Sequence, residues 1–99
     1  MSYDGGAIKR WVDRFAQHVR EHGELKPTTV QVYLIWLEHL ARFLERRGVR
    51  TVRRLRLAEL DAFLSHRGAR MSPRSLYNVR AALRAFLRYL YLLGELEWD

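Results

Sequence analysis

Apolar residues recur every three or four positions in four separate stretches of this 99-residue chain, and no stretch sustains an alternation of apolar and polar residues. A spacing of three and four places side chains on one face of an α-helix, whereas a half-buried strand needs a period of two. The sequence therefore predicts an all-α fold, a compact four-helix domain whose neighbouring helices run antiparallel.

The ends of these helices are predicted from prolines, glycines and one serine. The stretches cover about residues 7–22, 27–47, 58–66 and 73–93. Pro27 and Pro73 fit the first position of a helix, where the missing N–H costs nothing, and Ser72 is a suitable N-cap. Each stretch stops near a glycine, at Gly23, Gly48, Gly68 and Gly94. Glycine often ends a helix because it accepts a left-handed backbone conformation.

The apolar stripes of these helices predict the core. Helix by helix they are Ile8, Trp11, Val12, Phe15, Ala16 and Val19; Val30, Tyr33, Leu37, Leu40, Phe43 and Leu44; Leu57, Leu60, Phe63 and Leu64; and Leu76, Val79, Leu83, Phe86, Leu87 and Leu90. In the connector before the third helix, the apolar residues Val49, Val52 and Leu55 are spaced three positions apart, and we expect them to pack against the core. The arginines of that connector then remain in water.

The length and composition exclude several classes of protein. A chain of this length has room for one domain, so residues 1–99 are expected to form a single unit. Cysteine is absent, which excludes disulfides and cysteine-based zinc sites. No apolar run approaches the roughly 20 residues of a membrane span, and residues 1–6 lack the apolar segment of a signal peptide. We therefore expect a cytoplasmic protein with no membrane partner.

Positive charge is concentrated in the second half of the chain. The sequence has 18 Lys and Arg residues against 11 Asp and Glu residues, a formal net charge of +7. Residues 1–45 contain six basic and six acidic residues, whereas residues 46–88 contain twelve arginines and two acidic residues. An excess of arginine can reflect a GC-rich genome, but its concentration in one half of the chain favours a surface that meets phosphates.

Two features point to nucleic acid as the partner. Residues 26–29 and 71–75 form helix starts, whose free N–H groups and hydroxyls can bind phosphate or can simply be capped. The outward face of the fourth helix carries Arg74, Tyr77, Asn78, Ala81, Arg84, Ala85 and Arg88. Arginine can bond guanine and asparagine can bond adenine in the major groove. The alternative is an ordinary solvated face, but no acidic residue lies between residues 71 and 93.

The other candidate sites are weaker. His18 and His22 are spaced to chelate a metal, but two exposed histidines without a metal are the favoured interpretation. Val32, Leu34, Ile35 and Trp36 add apolar bulk to the second helix. They predict either a thicker core or a contact with another protein, and the second possibility defines an alternative function, a helical adaptor. We find no catalytic set of residues, so we expect no enzymatic activity, no metal site and no cofactor.

The ordered motifs of the chain resemble a known family. The matching stretches are LKPTTVQVY at residues 25–33, FLERRG at 43–48, AFL at 62–64, SPRSL at 72–76 and ALRAFLRYL at 82–90. Together they resemble the N-terminal core-binding, or SAM-like, domain of tyrosine recombinases and phage integrases. The resemblance covers nearly the whole chain, from about residue 8 to residue 99.

The resemblance implies a DNA-binding domain of a site-specific recombinase from a bacterium, an archaeon or a phage. It implies that the domain forms half of a clamp on duplex DNA, with the second and fourth helices at the major groove. The residues carried over as DNA contacts are Thr28, Thr29, Gln31 and Val32 on the second helix, Arg70 before the fourth, and Arg74, Ser75, Asn78 and Arg84 on it. Catalysis belongs to a separate C-terminal domain, which is expected as a partner together with other recombinase protomers on the nucleoid DNA.

Three stretches depart from the family pattern. Lys26 stands where the family commonly has a serine or threonine cap, and Arg56-Leu57 replaces a Thr-Pro pair before the third helix. Residues 34–36 are apolar where polar residues are common. The chain ends at about the place where the interdomain linker of the family begins.

Overall fold

Four α-helices pack around one apolar core, as the helical spacing predicts. The structure is a computed structural model that describes residues 6–96 apart from residues 24 and 69. The helices are α1 (Gly6–His22), α2 (Pro27–Arg46), α3 (Leu57–Gly68) and α4 (Pro73–Leu92), and a 3-10 turn at Val52–Arg54 joins α2 to α3. No strand occurs within the described ranges, which confirms the all-α fold. Only α3 differs noticeably from its predicted span, by one residue at its start and two at its end.

The core consists mainly of the predicted stripes. The buried stripe residues are Ile8, Val12, Phe15, Ala16, Val19, Val30, Leu37, Leu40, Leu44, Leu60, Phe63, Val79, Leu83, Phe86 and Leu90. The predicted inward residues of the connector, Val49, Val52 and Leu55, are buried as well. Burial of this apolar area supplies the main driving force for folding. The remaining stripe residues are half-buried, with one exception.

That exception is Leu57, for which the prediction of burial is wrong. Its side chain is 61% exposed at the first position of α3. The contact of α3 with α2 lies nearly two turns further along, where the ring of Phe43 meets Phe63 at 5.4 Å and His66 at 5.7 Å between centroids. Leu57 therefore continues the apolar spacing of the helix beyond the part that α2 covers.

Two pairs of consecutive helices, α1 with α2 and α2 with α3, show the order of contacts expected of antiparallel helices. In α1, Lys9 Nζ lies 3.1 Å from Glu38 Oε2 of α2, whereas the later residue Arg20 shares a groove with the earlier residue Leu34. The pair α2 and α3 shows the same order, because His39 contacts Arg67 while Phe43 contacts Phe63.

Three of the four glycine signals end a helix as predicted, whereas Gly68 lies within α3 as its last residue and has no positive φ value. Gly23, Gly48 and Gly94 have φ values of 66°, 82° and 77°, in the left-handed region that favours glycine. At the start of α4, the Ser75 backbone N–H donates to Ser72 Oγ at 3.1 Å, which confirms the predicted cap. Lys26 makes no such side-chain bond, yet α2 still begins at Pro27. The proline is therefore sufficient to mark this start without a capping hydroxyl.

Candidate nucleic-acid interface

The outward face of α4 is a stripe of exposed arginines and tyrosines. Arg74, Tyr77, Arg84 and Arg88 are exposed, and Tyr77 has the most exposed large ring at 67%. They occupy positions spaced by three and four, which share one face of a helix. The opposite face, with Val79 and its neighbours, is buried in the core. The outward orientation predicted for these four residues is therefore confirmed.

The rest of the predicted face is half-buried. It consists of Asn78, Ala81 and Ala85, and Ser75 at the start of the helix is half-buried as well. Arg70, which precedes α4, is exposed. Ala81 adds little bulk between the arginines, so a ligand can approach the backbone of the helix closely.

Arg80 is an exposed member of this surface that the sequence interpretation left unassigned. It precedes Arg84 by four residues, and side chains four apart on a helix are neighbours. That spacing is the signal that could have identified it. We use the term α4 arginine face for Arg74, Arg80, Arg84 and Arg88 together.

The charge of the α4 arginine face is not neutralised within the part of the chain that the structure describes. None of its four arginines forms an ion pair there. Several of the described carboxylates pair with other cations: Asp13 pairs with Lys9 at 2.7 Å, Glu59 with Arg47 at 2.8 Å and Glu95 with Arg53 at 3.6 Å. Four neighbouring guanidinium groups without carboxylate partners create a positive potential that attracts anions.

The two helix starts differ in how their N–H groups are satisfied. At α4, Ser72 Oγ already accepts from the Ser75 N–H, and the two hydroxyls are 3.1 Å apart. At α2, no side chain caps the first turn. At α4, one backbone N–H group is therefore capped, in agreement with the capping alternative. At α2, no side chain bonds to the N–H groups of the first turn.

The predicted residues of α2 are partly accessible. Thr28 and Gln31 are exposed, while Thr29 and Val32 are half-buried. Helices α2 and α4 pack against each other. Among the described residues, no hydrogen bond, ion pair or ring contact joins the predicted DNA-contact residues of α2 to those of α4. The structure therefore shows two separate groups of candidate residues on one folded unit.

Most of the apolar residues of α2 on which the adaptor alternative depends are partly covered. Leu34 and Trp36 are half-buried and pack against the core, and Val32 is half-buried too. Ile35 alone of these four is exposed, at 54%. Most of the extra bulk on α2 thickens the core, which leaves a single aliphatic side chain as the basis for a protein contact.

The histidine pair on α1 is held by its own neighbours. His22 Nδ1 lies 2.9 Å from the carbonyl oxygen of His18, and the two rings are 4.2 Å apart. The His18 ring also lies against Tyr89, with 5.0 Å between centroids, so His18 is half-buried and not exposed as expected. Across the described residues, no cluster of three potential metal ligands occurs. In the same residues no helix is both long and apolar enough to cross a membrane.

A contact between α2 and α3 that the sequence did not indicate involves Arg67. One of its terminal nitrogens, Nη2, lies 2.9 Å from Nδ1 of His39. Burial lowers the pKa of His39 below its ordinary value, and the positive charges of Arg67 and Arg42 lower it further, against a weaker opposing effect of Glu38. A neutral imidazole can accept from the guanidinium through Nδ1, whereas a protonated one cannot.

We expect this lowered pKa to make the stability of the domain depend on pH. Below the ordinary histidine pKa of 6.5, the unfolded chain binds a proton at His39 that the folded chain excludes. The free energy of unfolding should therefore fall as the pH drops from about 7.5 to about 5.5. Urea unfolding at both pH values measures it. The His39→Gln variant keeps an acceptor but does not titrate, so it should lose less stability, and equal losses would contradict the assignment.

Comparison with known proteins agrees with this architecture. The family described as phage integrase, N-terminal SAM-like domain, matches residues 12–94. A curated relative, the tyrosine recombinase XerC of Pseudomonas putida, is 32% identical over 95 residues, which cover 93% of this chain and 31% of the relative. The chain thus spans about a third of the length of that recombinase. No solved structure matches significantly. Because the family match covers most of α1 and all of α2, α3 and α4, the chain belongs to the family of N-terminal SAM-like domains of phage integrases.

Proposed function

We propose that residues 1–99 form a single DNA-binding domain that holds duplex DNA for a tyrosine recombinase. The observation that carries this proposal is the α4 arginine face, four exposed guanidinium groups without carboxylate partners among the described residues. Family membership supports the recombinase context. In this proposal the domain forms half of a clamp, and a separate catalytic domain, together with further protomers, performs the cleavage and rejoining of strands.

The chemistry of α4 suits the major groove of DNA. The groove accommodates an α-helix, and an arginine can donate two hydrogen bonds to a guanine edge. In this proposal Arg74 and Arg84, which are exposed, make such contacts together with the half-buried Asn78 between them. Ala81 and Ala85 leave room for the helix to approach the bases. In this arrangement Arg70 and Ser75 contact phosphates where the chain enters α4.

The start of α2 supplies the second contact of the proposed clamp. Thr28 and Gln31 are exposed there, and the uncapped first turn leaves N–H groups available to a phosphate oxygen. Thr29 and Val32 lie beside them and can contact a sugar or a thymine methyl group. Neither threonine carries a charge, so we expect α2 to orient the duplex while α4 supplies most of the electrostatic attraction.

Binding should weaken steeply with salt, because each arginine on a phosphate displaces condensed counterions from the DNA. With about four phosphate contacts the affinity should fall about a hundredfold between about 50 and 200 mM salt. Fluorescence anisotropy of a labelled duplex of about 20 base pairs measures this, and circular dichroism at both salt concentrations checks that the chain stays folded. An affinity that does not change with salt would contradict the proposal.

A further inference from the structure

A positively lined cleft lies between α2, the last turn of α3 and residues 70–71. Its volume is about 510 Å³, and the described residues that line it are Trp36, His66, Arg67, Arg70 and Met71. No carboxylate is among them. The size lies within the range of small-molecule sites, and it is too small for a whole duplex but large enough for a phosphate with its attached sugars.

Arg67 has an unused donor beside this cleft. Its Nε is buried and has no hydrogen-bond partner, whereas Nη2 is held by His39 at 2.9 Å. A buried polar group without a partner is uncommon and unfavourable, because it has lost its water without compensation. Arg67 also borders a smaller cavity of about 200 Å³ between α2 and α3. The guanidinium therefore has space on two sides and can turn so that its free N–H groups meet an oxyanion.

Trp36 and Arg70 complete the surroundings of this guanidinium. Trp36 is half-buried and packs against the core, so it presents a fixed aromatic wall that limits the access of water. Electrostatic attraction between a guanidinium and an oxyanion is stronger at a partly desolvated position than on the open surface. Arg70 is exposed at the rim, with no ion pair to any described residue, and it precedes Arg74 of the α4 arginine face by four positions.

We propose that this cleft binds one phosphodiester group of the DNA backbone, with Arg67 and Arg70 as its ligands and Trp36 as its wall. The inference rests on the proposed function, because it assigns a phosphate to a place beside the α4 arginine face. A phosphate contact carries no sequence information but fixes the position of a protein along the duplex. Arg67 is half-buried and is held by His39 through one nitrogen, so it has less conformational freedom than the exposed arginines of α4.

The first test follows nitrogen-attached protons of the unaltered chain by NMR. A short duplex is added in one titration, and inorganic phosphate at constant ionic strength is added in another. We expect the duplex to shift the indole N–H of Trp36 and the Nε–H of Arg67 at the same concentrations that shift the backbone amides of α4. The Trp36→Phe variant identifies the indole signal.

The outcomes of this titration separate the two proposals. Shifts in α4 without shifts at Trp36 and Arg67 would overturn the cleft and leave the proposed function standing. Shifts at Trp36 and Arg67 with inorganic phosphate but not with the duplex would show a site for free anions only, and this also overturns the cleft. A duplex that shifts no signal at all would overturn both proposals.

The second test measures affinity in charge-removing variants. Arg67→Gln and Arg70→Gln should each weaken duplex binding about tenfold, the loss expected for a hydrogen bond between charged groups. Each should also reduce the salt slope by about 0.9. Arg67→Lys keeps the charge but not the fork of donors, so its slope should stay near that of the unaltered chain while its affinity falls.

The matched control is Arg20→Gln. Arg20 is exposed on α1 in the groove shared with α2, away from the proposed cleft, and its replacement removes the same charge. If Arg20→Gln and Arg67→Gln weaken binding equally, the effect is general attraction and the cleft is overturned. Thermal unfolding of each variant shows whether it is folded, and the NMR titration of the unaltered chain stands independently of that result.

Discussion

Simultaneous replacement of Arg74, Asn78 and Arg84 with alanine should weaken duplex binding by at least about 3 kcal/mol and leave the domain folded. A side chain that reaches a base edge contributes about 1–3 kcal/mol, and three of them on one helix act on the same ligand. The contributions of three neighbouring side chains are not strictly additive, so we expect a total loss near the lower end of their combined range. Anisotropy titrations at fixed salt measure the loss.

Folding should survive this replacement because the three side chains contribute little to the core. Both arginines are exposed and have no ion pair within the described residues, and Asn78 is half-buried at the margin of the face. Surface substitutions away from special features usually change stability by less than about 0.5 kcal/mol. Alanine is also the best helix former, which favours α4 in the variant.

A matched control removes the same chemistry from another surface. Gln17, Arg20 and Arg42 are exposed on α1 and α2, and their joint replacement with alanine also removes two arginines and one amide. The control should lower affinity only through its smaller positive charge, and it should therefore bind more tightly than the α4 variant. Equal losses in the two variants would show that α4 is not the surface that reads the DNA.

Replacement of Phe86 with alanine should destabilise the domain by about 3–5 kcal/mol, the range for removal of a buried phenylalanine. Phe86 is 0% exposed, and its ring packs edge-on against Phe15 of α1 with 5.7 Å between centroids. The cavity left by its removal would lie at the contact of α1 with α4. Since native proteins are stable by only about 5–15 kcal/mol, this loss is a large part of the stability of the fold.

Urea unfolding followed by circular dichroism measures this loss. Tyr77→Ala is the control on the same helix, because Tyr77 is 67% exposed and its removal leaves no cavity. Its effect on the free energy of unfolding should stay within about 0.5 kcal/mol. If the two variants lost similar stability, Phe86 would not hold the central place in the core that its burial indicates.

The sequence was sufficient for the helices and most of the core because both depend on local spacing. Phe86 and Arg84 are two residues apart, yet the 3.6-residue period of α4 puts one inside and the other outside. The helical period wrongly predicted burial of Leu57, because the spacing of apolar residues along α3 does not show which part of α3 contacts α2. The same spacing does indicate Arg80, because this residue lies four positions before Arg84 on α4.

The candidate site could be predicted only in part for a similar reason. The arginines of α4 belong to one helix, so their common face follows from their positions in the chain. The contact of His39 with Arg67 joins residues 28 positions apart on two helices, and nothing in the local pattern around either indicates it. The cleft beside Trp36 likewise exists only after α2, α3 and the segment before α4 have packed together.

The uneven distribution of charge over the fold has a kinetic consequence. The groove between α1 and α2 is lined by three carboxylates, those of Asp13, Glu21 and Glu38, and by the single cation Arg20 among the described residues, whereas the α4 arginine face carries positive charge alone there. Such a separation gives the domain an electric dipole moment. The electric field of a polyanion such as DNA orients this dipole before contact. A larger fraction of encounters therefore begins with α4 facing the polyanion. Its effect is on the association rate constant, which such steering can raise by orders of magnitude at low ionic strength.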